Sequence, residues 1–184
     1  MADSNITRKA LADSMKELME REDFSKISVA DICNGCGMNR KSFYYHFKDK
    51  YDLVNWIFDI EFLSVMNPRE QSDSWKMMEA LCFYFYENRK FYANALQIKG
   101  QNSFEEHFVE LVEPFIEETI IHIIATEDSS SRFYVDFCMD AFLGAIKRWI
   151  TDKECMKPKE FLKCLENCIH IIAVREQKFI MNDE

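Results

Sequence analysis

Residues 29–53 read VADICNGCGMNRKSFYYHFKDKYDL, with Ser28 just before them. Ser28 is a good helix cap, and Asp31 three residues on sits near the positive end of the helix dipole. The short helix that starts at Val29 runs to about Cys36. Gly37 follows where a left-handed residue after a helix belongs. Asn39 can cap a second short helix, Arg40 to Phe47. Within it Phe43 and Phe47 are four apart, so one apolar seam fixes the helix to a core and the polar remainder faces outward. Lys48-Asp49-Lys50 breaks the pattern. Asp49 can cap a further helix running to about Met66.

Two short helices joined by a tight glycine turn, with a supporting helix before them, make a helix-turn-helix pattern. The supporting helix begins at Ile6, where Ile6, Ala10, Leu11, Ser14 and Leu18 recur at three- and four-residue steps. In such a unit the second helix lies in the major groove with its N-terminal residues at base edges. Arg40 and Lys41 can donate to guanine O6 and N7 or to phosphate, and Ser42 can reach either class. Tyr44, Tyr45 and His46 suit phosphate contacts that set register, and Lys50 is a further phosphate candidate. Composition alone would equally allow a surface helix with solvated cations and two tyrosines shielding the core.

The 29–53 string resembles the signature of the TetR family of transcriptional regulators. That signature has an Ile-Ala-type helix, Ala-Gly at the turn, Tyr-Tyr-His-Phe or a close variant, and Lys before a Leu-bearing helix. Tyr44, Tyr45, His46, Phe47, Lys50 and Leu53 fall where the family has them, and the match extends over about residues 6–60. Cys36-Gly37 replaces the usual Ala-Gly. The resemblance implies an all-α fold: a three-helix reading domain plus a helical bundle that binds an effector and dimerises. It implies DNA contact by Ser28, Asn39, Arg40, Lys41, Ser42, Tyr44, Tyr45, His46 and Lys50. It also implies double-stranded DNA with a near-palindromic operator as the partner.

The rest of the 184 residues agrees with a helical protein. Only 4 Gly and 3 Pro interrupt the chain, which favours long helices over strands and turns. Net charge is -9, but residues 1–50 hold 9 basic and 8 acidic residues while the remainder holds 14 and 24. An acidic body would be repelled from DNA, so binding would fall to the near-neutral head. Asn67 to Ser74 is the clearest linker. It divides a reading domain, residues 1–66, from an effector-binding and dimerisation domain, residues 75–184. In the second domain helices are expected over Trp75–Leu96, from a capping box at Ser103-Phe104-Glu105-Glu106 to about Thr126 with a kink at Pro114, over Ser131–Ile150, and from Pro158 to about Ile180.

Two apolar stripes on the Ser131 helix include Phe137, Phe142 and Trp149, and the last helix carries Leu165 and Ile169. Such surplus apolar surface suggests a homodimer through a four-helix interface, the alternative being a thicker core within one protomer. Phe83, Tyr86, Phe104, Phe108 and Phe115 could line a pocket for an apolar effector, or could be core. The body, including Gly144–Trp149 followed by Pro158, is similar to a C-terminal class of the family that includes the DhaS-type activators of dihydroxyacetone kinase operons. The expected function is therefore a homodimeric repressor released by a small molecule. The alternative is an activator or adaptor controlled by a protein partner.

Other chemistries find little support. Seven cysteines without an export signal read as free thiols rather than a disulfide framework. Cys33-x-x-Cys36 lacks two further nearby ligands for zinc and the βαβ context of a redox pair. His107, His122 and His170 lie on separate helical segments, and Glu118 with His122 reads as a surface pair. There is no phosphate loop, no Gly-x-Ser-x-Gly elbow and no His-Glu-x-x-His. The expectation is no enzyme, no cofactor and no metal. An N-terminus without a signal peptide, and no apolar run of about 18 residues, lead to an expected cytoplasmic location without membrane association.

Overall fold

The structure is a computed structural model that describes residues 2–63, 74–100, 103–124 and 131–180. These residues form nine α-helices and no strand: α1 (Ala2–Met19), α2 (Val29–Gly35), α3 (Arg40–His46), α4 (Lys50–Phe58), α5 (Ser74–Glu87), α6 (Arg89–Ala95), α7 (Phe104–Ile124), α8 (Ser131–Thr151) and α9 (Pro158–Ile180). A 3-10 turn, Phe24–Lys26, precedes α2, and a π turn, Asp59–Leu63, continues α4. The expected linker lies outside the described residues apart from Ser74, which opens α5. No helix among the described residues is long and apolar enough to cross a membrane.

The chain divides into two compact units, one from residues 1–66 with 88–108, the other from 67–87 with 109–184. A single boundary in the 67–74 linker therefore does not describe the fold. The reason is aromatic: Phe58 of α4 gathers Tyr92, Phe104 and Phe108 at ring separations of 6.0, 5.4 and 6.0 Å. Those three side chains are buried and complete the first unit's core. The helix expected over Trp75–Leu96 is broken at Asn88, between α5 and α6.

In the first unit α1 buries Leu11, Ser14, Met15 and Met19. The stripe starts later than its apolar pattern suggests, because Ile6 is 65% exposed. Ser14 Oγ donates to the Ile32 carbonyl at 2.8 Å, tying α1 to α2. The two helices approach so closely that a Cβ on Gly35 would stand 2.2 Å from Ser14 Oγ.

In the second unit Trp149 is buried and well packed. Its ring lies flat on Phe161 at 4.2 Å, and Nε1 donates to the Met156 carbonyl at 2.8 Å. Phe142 and Trp149 were expected at a dimer interface, but they are only 8% and 4% exposed, inside the protomer's own core. Pro158 opens α9, as its fixed φ favours.

Candidate nucleic-acid interface

Both N-termini of the α2–α3 pair are capped by a side chain. Ser28 Oγ accepts from the Asp31 amide at 3.2 Å, and Asp31 Oδ2 accepts from the Ser28 amide at 2.9 Å. The Ser28 hydroxyl also donates to Asp31 at 2.6 Å, and these bonds hold the Asp31 carboxyl below its ordinary value. Gly37 takes the left-handed conformation, φ 68°, as the turn requires. The Met38 amide then donates to the Cys33 carbonyl at 2.8 Å. Asn39 Oδ1 accepts from the Ser42 amide at 2.9 Å, and Asp49 Oδ1 accepts from the Tyr51 and Asp52 amides at 2.8 and 2.9 Å.

On this frame α3 is anchored along one seam. Phe43 and Phe47 are buried, 5.8 Å apart, and Phe47 meets Trp56 of α4 edge-on at 5.5 Å. Arg40, Lys41, Tyr44 and Tyr45 stand in solvent, Tyr45 at 81% exposure. Arg40 Nη2 donates to the Tyr44 hydroxyl at 3.5 Å. Ser42 and His46 are half-buried at the edge of the same face. Ser28 and Asn39 are exposed while capping their helices. Eight of the nine residues read from the sequence thus lie on one short helix or cap the pair.

Lys50 does not. Its ammonium turns inward and donates to the Phe24 and Ile27 carbonyls at 2.7 and 2.8 Å, with the Phe24 ring centroid 4.2 Å away. Burial lowers its pKa. The residue type suited a phosphate. Its position instead gives a charged donor to the first carbonyl of the 3-10 turn and to that of Ile27, which caps it.

Asn94 has a similar part that its sequence neighbourhood did not reveal. Its Nδ2 donates to the Met19 and Glu22 carbonyls at 3.2 and 2.8 Å, and its Oδ1 accepts from the Phe24 amide at 3.0 Å. One side chain of α6 thereby fixes the whole turn between α1 and α2. Lys16 with Glu61, at 2.7 Å, and His107 with Asp59, at 2.7 Å, tie the π turn to α1 and α7 within the first unit. Long-range partners of this kind leave no local pattern to read.

The cysteines are free. Burial pushes the Cys33 thiol up, as does the neighbouring Cys36, which disfavours the thiolate that redox or metal chemistry needs. Among the described residues no group of three or more His, Cys, Asp or Glu is placed to hold a metal. The five aromatics considered for an effector pocket do not line one site within either unit. Phe104 and Phe108 are first-unit core, while Phe83, Tyr86 and Phe115 are half-buried in the second.

Comparison with known proteins agrees with this geometry. Residues 12–57 match the family described as bacterial regulatory proteins, tetR family. Residues 73–171, more than half of the chain, match the transcriptional regulator C-terminal region. The chain is 31% identical over 121 residues to the HTH-type dhaKLM operon transcriptional activator DhaS of Lactococcus lactis subsp. lactis (strain IL1403). That match covers 65% of this chain and 64% of the relative, so the chain spans less than two thirds of the relative's length. A TetR transcriptional regulator from Streptococcus agalactiae 2603V superposes with a TM-score of 0.68 at 18% identity, covering 91% of this chain and 96% of the other. NalD, the secondary repressor of the MexAB-OprM multidrug efflux pump in Pseudomonas aeruginosa, gives 0.65 at 20% identity, covering 92% and 96%. At such identities the structures show a shared fold and nothing more. With both parts of the chain matched and the reading helix in place, the chain belongs to the TetR family of transcriptional regulators, which are DNA-binding proteins and not enzymes.

Proposed function

We propose that this protein is a homodimer that places one α3 helix in each half of a near-palindromic operator. The observation that carries the reading is α3 itself. Its apolar seam is buried, its caps are made, and its cations and tyrosines are left in water. A pre-organised helix loses little freedom on binding. Arg40 and Lys41, on the first turn, are assigned to base edges; Ser42, Tyr44, Tyr45 and His46 to backbone phosphates or their neighbours. Ser28 and Asn39, at the two helix N-termini, are assigned to phosphate. Two-fold symmetry sets half-sites about 34–36 Å apart, or a multiple of that.

Dimerisation is assigned to α8 and α9. Phe137 and Ile169 are exposed and Leu165 is half-buried, with Phe133, Tyr134 and Ile171 adding further exposed apolar surface. Phe142 and Trp149 have no part in it.

For the sign of control, activation is better supported than repression. The relative at 31% identity is an operon activator, whereas likeness to a repressor is at the level of fold alone. The aromatic pocket that favoured release by a small molecule has lost Phe104 and Phe108 to the core. Phe83, Tyr86 and Phe115 could still serve a smaller effector site, but control by a protein partner needs no such pocket.

The test is fluorescence anisotropy of the protein on the DNA upstream of its own gene, against a scrambled duplex, over a salt series. Preferential binding that weakens steeply with salt is expected. Equal binding to both duplexes would sink the assignment of that operator. Reporter expression with and without the protein then gives the sign.

A further inference from the structure

The N-terminal part of α1 reaches the reading helix. Thr7 shares an open depression with Asn39, Lys41, Ser42, Tyr45 and His46. The next residue, Arg8, is half-buried, and its Nε is closed off from solvent without a hydrogen-bond partner. A guanidinium is always charged and never an acceptor, so what Arg8 offers an incoming anion is its charge. The charge of Arg8 is felt at His46, which holds its proton less readily than usual through burial and then through Arg8. The charged and titratable groups around this imidazole are Arg8 from α1 and Lys41 and Tyr45 from α3, and no carboxylate lines the depression. Thr7 of α1 and Lys41, Ser42, Tyr45 and His46 of α3 line the depression, and the Arg8 charge acts on its His46 edge.

We propose that Arg8, together with Lys41, Tyr45 and His46, forms a seat for a backbone phosphate of duplex DNA, so that α1 as well as α3 holds the operator. The inference rests on the DNA-reading proposal above and adds a residue to it. Arg8 sits outside the helix-turn-helix and reads no base. Its contribution is charge and register, equal on every sequence.

The experiment uses the full chain and two duplexes, the DNA upstream of the gene and one of mixed sequence, by anisotropy over a salt series. Non-specific binding is itself a matter of phosphates, so the mixed duplex needs no operator. Arg8→Gln, which keeps most of the stem and loses the charge, should weaken binding about equally on both duplexes. It should also lower the slope of log affinity against log salt by about 1. Arg8→Lys should keep the wild-type slope. A side chain that merely props α1 against α3 would change affinity without changing the slope, and thermal unfolding of each variant by circular dichroism checks that the fold is kept. If Arg8→Gln unfolds, Arg8→Lys carries the test, since retention of the wild-type slope requires only the charge. A folded Arg8→Gln with the wild-type slope, or a folded Arg8→Lys that loses it, overturns the phosphate seat and leaves the α3 reading intact. Wild-type protein that binds neither duplex at the lowest salt overturns both.

Discussion

A lysine and a histidine mark the two sides of what residue type alone can say. Lys50 has the right chemistry for a phosphate, yet its ammonium is spent on the Phe24 and Ile27 carbonyls. Lys50→Met should therefore act on stability: removing charged donors from two carbonyls costs about 1–3 kcal/mol. The urea midpoint should fall with the m-value unchanged, and the salt slope of DNA binding by the folded variant should equal wild type's. A lower slope would return Lys50 to the interface. His46 differs, since its half-buried ring stays at the edge of α3, where the phosphate seat proposed above would use it. In the free protein burial and the Arg8 charge depress its pKa. A phosphate beside it offsets Arg8 and favours the imidazolium, so the pKa is higher in the complex and binding takes up a proton. Affinity should accordingly rise as pH falls through the neutral range, and His46→Gln should flatten that dependence. An unchanged pH profile in His46→Gln removes the histidine from the phosphate site.

At the scale of helices, the caps, turn and seam of the α2–α3 region are legible in the sequence. Ser28, Asn39 and Asp49 cap the helices they precede, Gly37 has the positive φ its place demands, and Phe43 with Phe47 forms the seam. These features depend on neighbours within about four residues, which is the range a sequence displays. The misreadings share the opposite property. Ile6 continues a periodic pattern but stays 65% exposed; Phe104 and Phe108 look like pocket lining but meet Phe58; Phe142 and Trp149 look like a partner face but lie in the core. An apolar stripe says that a side chain wants burial and is silent on which surface provides it. The contact of α1 with α2 is another long-range fact, and Gly35 exposes it. Gly35→Ala would bring a Cβ to 2.2 Å from Ser14 Oγ, forcing the hydroxyl off the Ile32 carbonyl. Overpacking of this kind costs about 1–3 kcal/mol. With Ser14→Ala in the same chain the nearest remaining Ser14 atom, Cβ, is at 3.4 Å, so the double variant should be more stable than the sum of the singles. Additive losses in urea unfolding would mean that the helices do not meet there.

For the whole molecule the question is what covers the apolar side chains of α8. Phe133 and Phe137 stack on each other at 6.4 Å and are 67% and 59% exposed, with Tyr134 beside them in sequence. A water-facing patch of this kind marks an interaction surface. The charge balance argues that the surface belongs to a second copy. Residues 51–184 carry ten more acidic than basic groups, so a protomer binding alone would have only its near-neutral first fifty residues to hold DNA. Joining two heads doubles the phosphate contacts and makes the second half-site an intramolecular event, worth about 10²-fold or more in affinity. Phe137→Glu should then convert the protein to a folded monomer in sedimentation velocity and reduce operator affinity by about that factor. It should leave the weaker binding to a single half-site unchanged. Trp149→Ala should behave differently, because the ring it removes stacks on Phe161 within the protomer: a loss of about 3–5 kcal/mol of stability with the dimer retained while the protein stays folded. A Phe137→Glu variant that remains dimeric and binds as wild type does would place the two-fold contact elsewhere on the chain, and a wild-type protein that binds its operator as a monomer would remove the symmetry argument altogether.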